Sequence, residues 1–445
     1  MISMNLHQAA AVTGATLVGK PAQFRGISTD SRTDCTGKLF IALKGENFNG
    51  EDHCQSAIDN GAIAVLVSSA QDINTPQLIC NNSLAALSVL AKSWANQCQA
   101  KIIAITGSNG KTTVKNMLHS ILSVSHQCSA TKGNLNNEIG VPLTLCEIHP
   151  NDTFAVIEMG AAKLGDILWL ISLVDIHTAA ITSVSEAHIE RFGSFENIIK
   201  EKGKIVSELS SNDFAVLPID DENFNYWRTL TNGKTLSFGT NQDASIQITE
   251  NKPFNLRIID TYIENINLPV AGKHNQTNAA CASAIAHSLN IQQEEIKTGL
   301  EAFIPEQGRL ENMGEIDGNL VINDSYNANP QSVKAAIDVL ISYKGTRTLV
   351  LGDMAELGNN SKTSHQEIGE FAKQNNVTYL FTIGKDSVHA SNVYSTHSQH
   401  FNNIESLKQF LLKDWQQYGT ILVKGSRSMH LEDLINGIMK KEKVA

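Results

Sequence analysis

The segment Lys101-Ile-Ile-Ala-Ile-Thr-Gly-Ser-Asn-Gly-Lys-Thr-Thr113 predicts a buried strand, a glycine-containing turn and the beginning of a helix. Residues 102–105 are apolar and are followed by a turn, which is typical of a strand buried in a parallel sheet. Backbone N–H groups and a helix N-terminus can then surround phosphate groups. The alternative is a glycine-rich turn that only caps the helix, but Gly-Lys-Thr-Thr after a strand favours nucleotide binding.

This phosphate loop, residues 106–113, is shorter than the general motif, because two residues separate its glycines where the motif has four. Lys111 would neutralise the β- and γ-phosphates of a nucleotide, and the hydroxyl of Thr112 would reach Mg²⁺. The loop residues that we predict to bind nucleotide are Gly107, Ser108, Asn109, Gly110, Lys111, Thr112 and Thr113.

Composition limits the class of protein. The chain has 445 residues, which suggests about three folding units at roughly 150 residues each. The net charge of −10 and the pI near 5.8 argue against a nucleic-acid partner, because binding a duplex requires a concentrated basic face. Seven scattered cysteines without a Cys-x-x-Cys spacing indicate reduced thiols and a cytoplasmic protein.

The hydropathy pattern predicts no membrane insertion. The first fifteen residues lack the basic and apolar regions of a secretion signal. The most apolar long window, from Ile167 to Val184, contains Asp175 and His177. These polar residues favour a helix followed by a strand over a membrane span.

Alternating strands and helices predict an α/β protein with mostly parallel sheets, divided into domains at residues 1–98, 99–311 and 312–445. The second boundary lies in a stretch rich in glycine and proline. Before it we predict strands at 38–43, 62–67, 101–106, 154–159, 178–184 and 214–219 and helices at 83–97 and 112–123. After it we predict a doubly wound domain, with strands at 320–323, 348–352, 379–383 and 420–423 and helices at 332–343, 365–374, 404–415 and 431–440.

Polar residues follow two of the predicted central strands. Glu158 lies at the end of the apolar run 154–159, where a carboxylate would face a ligand crevice at the mouth of a parallel sheet. His188 and Glu190 follow the next strand and could reach the same crevice. A strand-end charge and a structural histidine are the alternatives to a metal site.

The shortened loop Gly107-Ser-Asn-Gly-Lys-Thr-Thr113 resembles that of the Mur ligase and folylpolyglutamate synthetase superfamily, and the similarity to Mur ligases covers essentially the whole chain. The resemblance implies a small α/β UDP-sugar-binding domain, a central P-loop ATPase-like domain with a parallel sheet, and a C-terminal Rossmann-like doubly wound domain. It also implies ATP and Mg²⁺ as cofactors.

The resemblance further implies a catalytic metal site. In Mur ligases the residues that match Glu158 and His188 help to bind Mg²⁺. Lys202 matches a lysine that is carbamylated in the family, although the composition of residues 200–204 alone favours a solvated helix face. A carbamate would hold a second Mg²⁺. The implied catalytic residues are Lys111, His188 and Lys202, and the implied metal-binding residues are Thr112, Glu158, His188 and Lys202.

Three segments are similar to substrate-binding segments of the family. Ser28-Thr-Asp-Ser-Arg32 and residues 39–50 resemble its UDP-sugar segments, and residues 131–142 resemble the central loop that meets substrate. Composition alone would describe all three as polar turns. The implied substrate-binding residues are Thr29, Asp30, Ser31, Arg32, Lys44, Gly45, Asn136 and Asn137.

Residues on both sides of the second predicted boundary resemble nucleotide-binding motifs. Residues 271–278 are similar to the adenine-side motif of the family, although helix capping by asparagine explains part of the pattern. Residues 308–310 are similar to its arginine-bearing hinge, and residues 323–330 to a segment that faces the nucleotide across the cleft. The implied residues are His274, Asn275, Asn278, Arg309, Asp324 and Asn327.

Together, these segments imply a monomeric ligase that uses ATP to join D-alanyl-D-alanine to UDP-MurNAc-tripeptide through an acyl phosphate. The alternatives are a ligase that adds a single amino acid or polyglutamates folate, a nucleotide-switch protein and a small-molecule kinase. The tetrapeptide Asp-Asn-Pro-Arg of the ligase that adds meso-diaminopimelate is absent. Whether the third peptide residue of the substrate is lysine or meso-diaminopimelate stays open.

Overall fold

The computed structural model describes residues 1–45, 47–186 and 189–439. In these ranges the chain forms three α/β units, one after another along the sequence, as predicted. None of the helices in these ranges combines the length and the apolar character needed to cross a bilayer.

The N-terminal unit contains a five-stranded sheet of order β2-β7-β6-β5-β4, in which only the β2–β7 pair is antiparallel, and a separate antiparallel pair β1–β3. Asn82 caps the helix predicted at 83–97, since its side chain accepts from the N–H of Ala85. The elements are β1 (Ser3–Asn5), α1 (Leu6–Thr13), β2 (Thr16–Val18), β3 (Gln23–Arg25), β4 (Ile27–Ser28), β5 (Leu39–Ile41), α2 (Cys54–Asp59), β6 (Ala64–Val67), β7 (Gln77–Ile79) and α3 (Ser83–Gln97).

The central unit begins with a buried strand and a helix that flank the phosphate loop. These elements are β8 (Lys101–Thr106), α4 (Lys111–Leu122), β9 (Cys128–Ala130), α5 (Gly140–Glu147), β10 (Phe154–Glu158), α6 (Asp166–Ile171), β11 (Ile176–Ile181), α7 (Ile189–Phe192), α8 (Phe195–Gly203) and β12 (Phe214–Pro218). It continues with α9 (Phe224–Thr229), β13 (Lys234–Gly239), β14 (Ile246–Asn251), β15 (Phe254–Ile258), β16 (Thr261–Ile266), α10 (Lys273–Ser288) and α11 (Gln293–Glu301).

The central sheet has the order β16-β15-β14-β13-β12-β11-β8-β10-β9, and every pair from β14 to β9 is parallel. The predicted strand at 101–106 and the helix followed by a strand in 167–184 are confirmed. The strands β13 to β16, which were not predicted, extend the sheet and end in two antiparallel pairs. These strands carry polar residues between their apolar ones, so no continuous apolar run marks them.

The C-terminal unit has a six-stranded sheet of order β17-β18-β22-β19-β20-β21, parallel except for the β17–β18 pair. Its elements are β17 (Glu311–Ile316), β18 (Asn319–Asp324), α12 (Pro330–Leu340), β19 (Arg347–Gly352), α13 (Ser361–Gln374), β20 (Tyr379–Ile383), α14 (Val388–Tyr394), β21 (Ser398–Phe401), α15 (Ile404–Lys413), β22 (Thr420–Lys424) and α16 (Glu432–Met439).

Helices cover both faces of this sheet, which confirms the doubly wound arrangement. Residues of α12, α13 and α14 form one apolar cluster, and residues of α15 and α16 form another. Neither β21 nor α14 was predicted, and Lys440, the predicted last residue of α16, lies outside the described residues. The predicted boundary near residue 312 falls within β17, and the domain limits stay predictions.

One apolar core joins the N-terminal unit to the central unit. It includes Ile2 and Trp94 from the first unit and Leu145 from α5 of the second. The indole N–H of Trp94 donates to the carbonyl of Ile148 at 2.9 Å. We call this contact region the apolar interface. Because it is continuous with the interiors of both units, we expect it to hold them rigidly together.

All seven cysteines are free thiols, and none is fully exposed. Burial raises the pKa of the Cys54 thiol to about 11 and that of Cys128 to about 12. Burial also raises the pKa of Cys80, Cys98, Cys146 and Cys281. These six thiols are therefore poor nucleophiles.

Candidate functional site

A cavity of about 630 Å³, called here the first cavity, lies where the carboxyl ends of the central strands face the C-terminal unit. Carboxyl ends of parallel strands are the usual ligand position in such sheets. Most of the predicted nucleotide and metal residues line it, together with the predicted substrate residue Asn136: Ser108, Asn109, Gly110, Lys111, Thr112, Thr113, Glu158, His274, Asn275, Asn278, Arg309, Asp324 and Asn327.

The backbone of the phosphate loop lies close to the side chains around it. Gly110 immediately precedes α4 with a φ of 83°, a conformation that favours glycine, and a Cβ there would collide with the side chain of Asn278. The Nζ of Lys111 donates to the carbonyl of Gly107 at 2.8 Å. Burial lowers the pKa of Lys111, while the negative charge of Glu158 opposes this shift.

Lys202 is buried beside the phosphate loop and not on a solvated helix face. Its side chain is 2% exposed, and its Nζ donates to the same carbonyl of Gly107 at 3.1 Å. Burial, and next the charge of Lys111, lower the pKa of Lys202 to about 7. Composition alone could not reveal this, because the helix α8 turns Lys202 inward while Lys200 stays at the surface.

Glu201 anchors the helix that carries Lys202. It is fully buried, and its two carboxylate oxygens accept from the N–H groups of Gly165 at 3.0 Å and Ile167 at 2.8 Å. Lys204 donates to it at 2.6 Å. Glu201 was not predicted as a site residue, since nothing in the local sequence distinguishes it from a surface glutamate.

Glu158 ends β10 and is 2% exposed. One carboxylate oxygen accepts from the amide of Asn136 at 2.7 Å, while its Oε2 is buried and has no hydrogen-bond partner among the described residues. A buried carboxylate oxygen without a partner is costly unless a cation binds it. Mg²⁺ in proteins usually combines one or two carboxylates with phosphate and water, and Glu158 offers one such carboxylate oxygen.

His188 lies outside the described residues, so its predicted roles in catalysis and metal binding stay predictions. Glu190, which follows it, lines neither described cavity. A Cβ built on Gly358 of the C-terminal unit would lie 3.6 Å from the Cβ of Glu190. This residue therefore packs at a contact between the units.

The predicted adenine-side residues begin α10 and line the first cavity together. Asn275 donates to the carbonyl of Ala271 at 2.7 Å and accepts from Asn278 at 3.3 Å. No side chain among the described residues caps the start of α10, so the capping alternative does not describe Asn275. Burial lowers the pKa of His274, so its imidazole is neutral near pH 7.

Arg309 reaches the phosphate loop from the hinge between the central and C-terminal units. Its Nη2 donates to the hydroxyl of Thr112 at 3.2 Å, and its Nε pairs with Glu306 at 3.1 Å. Its guanidinium lies over the ring of Tyr326, 4.0 Å from the centroid. The predicted approach of Arg309 to a phosphate is consistent with this position.

Asp324 ends β18 and pairs with Lys424, which ends β22, at 2.6 Å. Lys424 also donates to the carbonyl of Asn327 at 3.0 Å. Lys424 lines the first cavity, and we did not single it out from the sequence. Its position at the end of a strand beside the predicted Asp324 was the available signal.

Polar side chains connect the central unit to the C-terminal unit. Asn109 accepts from Asn329 at 2.7 Å and donates to Gln331 at 3.0 Å. Arg191 pairs with Glu356 at 3.1 Å. We call these contacts the polar interface.

A second cavity, of about 730 Å³, adjoins the first. Glu306, Tyr326 and Asn327 line both cavities. The other walls of the second cavity include Ser426 and Arg427, which follow β22.

The predicted UDP-sugar residues lie elsewhere, after the parallel strands β4 and β5 of the N-terminal sheet. None of Thr29, Asp30, Ser31, Arg32, Lys44 and Gly45 lines either described cavity. Arg32 donates to both carboxylate oxygens of Asp30 at 2.8 Å, and this pairing lowers the pKa of Asp30 to about 2. The residues after β4 and those after β5 lie at the same edge of the sheet, because these neighbouring parallel strands end there.

Asn136 and Asn137, predicted to meet substrate, have different positions. Asn136 lines the first cavity beside Glu158. Asn137 is exposed, and its side-chain oxygen accepts from the N–H of Gly140 at 2.9 Å, at the start of α5. Its predicted contact with substrate stays a prediction.

Family models match three consecutive parts of the chain: "Mur ligase family, catalytic domain" at residues 23–106, "Mur ligase middle domain" at 105–286 and "Mur ligase, glutamate ligase domain" at 308–427. The UDP-N-acetylmuramoyl-tripeptide--D-alanyl-D-alanine ligase of Escherichia coli (strain K12) is 38% identical over 99% of both chains. The ligase of the same name from Bacillus subtilis (strain 168) is 34% identical over 93% of both chains.

Solved structures give the same result. A crystal structure of MurF from Acinetobacter baumannii matches with a TM-score of 0.92 and 31% identity, covering 99% of both chains. MurF ligase from Thermotoga maritima, solved in complex with ADP, matches with a TM-score of 0.84 and 25% identity, covering 95% of this chain and 99% of that one.

Proposed function

The chain belongs to the Mur ligase family, and from this premise we propose that it joins D-alanyl-D-alanine to UDP-MurNAc-tripeptide with ATP. The products are UDP-MurNAc-pentapeptide, ADP and phosphate, and the reaction supplies a peptidoglycan precursor. The observation that carries the proposal is the first cavity, in which a phosphate loop, a buried carboxylate and the hinge arginine converge.

ATP binds in the first cavity. Lys111 and the N-terminus of α4 contact the β- and γ-phosphates, and His274 and Asn278 lie on the adenine side. Asp324 of the C-terminal unit faces the nucleotide from across the cleft, held in place by Lys424. Arg309 contributes positive charge near the phosphate that is transferred.

Glu158, the hydroxyl of Thr112 and His188 are the residues that would hold Mg²⁺. The buried Oε2 of Glu158, which has no partner among the described residues, supports this assignment. Carbamylated Lys202 supplies a second carboxylate-like group, and a pKa of about 7 leaves much of its amine neutral for reaction with carbon dioxide. When bound, the metal ions neutralise charge on the phosphates.

The substrate carboxylate attacks the γ-phosphorus of ATP and forms an acyl phosphate, and ADP leaves. The amine of the dipeptide then attacks the acyl carbon, phosphate leaves, and the amine loses a proton. The residues of the chain orient these groups and neutralise their charge, so no protein nucleophile is required. The C-terminal unit closes over the site and excludes water from the acyl phosphate.

The dipeptide binds in the second cavity, which adjoins the phosphate end of the first. Arg427 lies there with its side chain 63% exposed and suits the carboxylate of the dipeptide. The UDP group binds at the edge of the N-terminal sheet, near Asp30 and Lys44. The partners are small molecules, and the enzyme acts as a cytoplasmic monomer.

Phosphate release by the purified protein tests the function. With ATP, Mg²⁺ and UDP-MurNAc-tripeptide, release should require D-alanyl-D-alanine and should yield the pentapeptide by mass spectrometry. Free amino acids in place of the dipeptide are the control, since they would support a ligase that adds one residue. Nucleotide hydrolysis without an amide product would contradict the proposal.

A further inference from the structure

Tyr326 forms a wall between the two cavities. The residue lines both, and its backbone N–H donates to the carbonyl of Gly308 at 3.1 Å. Gly308 has a φ of 74°, and a Cβ there would approach the backbone N of Tyr326 to 3.3 Å. The segment that follows β18 is therefore packed closely against the hinge.

The ring of Tyr326 also supports the side chain of Arg309. The guanidinium carbon lies 4.0 Å from the ring centroid, well within the range of a cation–π contact. From this position Arg309 reaches the hydroxyl of Thr112 in the phosphate loop. Glu306 pairs with the Nε of Arg309, so the ring and this carboxylate together orient the guanidinium.

We propose that Tyr326 is a positioning residue that holds Arg309 against the phosphate loop and links ligand binding in the second cavity to that loop. The inference rests on the proposed function, in which the dipeptide occupies the second cavity. A ligand there touches the ring that carries Arg309, and a nucleotide in the first cavity touches Arg309 itself. Both ligands then stabilise the same placement of Arg309, so each strengthens binding of the other by an equal factor.

A double-mutant cycle tests the positioning role. Tyr326→Phe keeps the ring and should retain kcat within about twofold, whereas Tyr326→Leu should lower kcat about tenfold. In an Arg309→Ala background, Tyr326→Leu should lower kcat by no more than about twofold, since the group through which it acts is gone. Additive losses, or a loss in Tyr326→Phe as large as in Tyr326→Leu, would overturn the positioning role.

Titration calorimetry with a non-hydrolysable ATP analogue tests the link between the cavities. With UDP-MurNAc-tripeptide present, D-alanyl-D-alanine should tighten analogue binding to the wild-type protein by at least about fivefold. In Tyr326→Leu the dipeptide should change it by less than about twofold. A purely structural role of the ring would reduce the fraction of binding-competent protein and leave this ratio unchanged, which would overturn the inference.

The two proposals fail in distinguishable ways. A wild-type protein that forms no pentapeptide contradicts the proposed function. A wild-type protein that forms pentapeptide, together with a Tyr326→Leu variant that keeps the dipeptide effect on analogue binding, contradicts only the role of Tyr326. Equal thermal unfolding midpoints of Tyr326→Phe and Tyr326→Leu would show that the comparison is made between folded proteins.

Discussion

The central unit contacts its two neighbours in opposite ways. Trp94 and Ile2 belong to an apolar core that continues without interruption into the central unit. Among the described residues no apolar cluster joins it to the C-terminal unit, and the contacts there include hydrogen bonds and ion pairs, such as those of Asn109 with Asn329 and Arg191 with Glu356. Large apolar interfaces fix domains, whereas polar ones permit motion. We therefore expect the N-terminal unit, proposed to bind the UDP-sugar, to be fixed to the central unit, and the C-terminal unit, proposed to bind the dipeptide, to move.

Trp94→Ala should have the largest effect, a loss of stability, because it removes a buried side chain from the apolar interface. The side chain is 6% exposed, and its removal leaves a cavity and frees the carbonyl of Ile148. We expect a loss of about 3–5 kcal/mol in the free energy of unfolding, measured by urea denaturation. The kcat of the folded fraction should stay within about twofold.

Trp169→Ala is the matched control, since this tryptophan is 37% exposed and its loss should cost less than about 1 kcal/mol. A Trp94→Ala protein with wild-type stability would contradict the rigid role of the apolar interface.

Glu158→Gln should have the second-largest effect, and this effect should be on catalytic activity and not on stability. We expect kcat to fall about 10²–10³-fold, because the variant lacks the carboxylate proposed to hold Mg²⁺, and with it the positive charge that neutralises the transferring phosphate. The thermal midpoint should change little, because removing a buried charge whose Oε2 has no partner among the described residues is offset by the loss of a negative charge beside Lys111. Phosphate release and calorimetry measure the two quantities.

Glu147→Gln, which alters an exposed ion pair with Lys132, provides the control and should leave both quantities unchanged. A tenfold or smaller loss of kcat in Glu158→Gln would remove Glu158 from the metal site.

Lys202 should make activation by bicarbonate depend on pH. With a pKa of about 7, its amine is about 10% neutral at pH 6 and about 90% neutral at pH 8. Only the neutral amine reacts with carbon dioxide, so the recovery rate of carbon-dioxide-depleted enzyme should rise about ninefold between these values, at equal dissolved carbon dioxide. Phosphate release after rapid mixing measures the recovery.

Lys202→Ala should show no recovery with bicarbonate but partial recovery with short carboxylates, whereas Lys200→Ala should behave as the wild type, since Lys200 lies at the surface. Full activity of Lys202→Ala would exclude the carbamate.

Arg191→Ala should have the smallest effect, because it removes one exposed contact of the polar interface. We expect less than about 1 kcal/mol in unfolding free energy and a fall of a few fold in kcat, as the closed arrangement becomes less populated. Small-angle scattering with an ATP analogue and both substrates should show compaction of the wild type and less compaction of the variant.

Lys334→Ala removes an ion pair within the C-terminal unit and should change neither kcat nor compaction. A wild type that shows no compaction would contradict closure.

Sequence patterns predicted the elements whose formation depends on residues that are neighbours in sequence. The strand at 101–106 and the helix at 83–97 follow from apolar runs and a capping asparagine. The inward position of Lys202 and the stacking of Arg309 on Tyr326 depend on residues distant in sequence, which no periodicity reveals. The same holds for the apolar interface, where Trp94 meets the chain 54 residues later.

The seven shielded thiols make this chain convenient for observing its own motion. Maleimide dyes react with exposed thiolates, and burial keeps the pKa of most native cysteines above 9, the ordinary value for a thiol. Two cysteines introduced on exposed positions, one in the central unit and one in the C-terminal unit, would therefore take up a donor and an acceptor dye in a background of little labelling. Single-molecule energy transfer between them would report opening and closing in the otherwise native sequence.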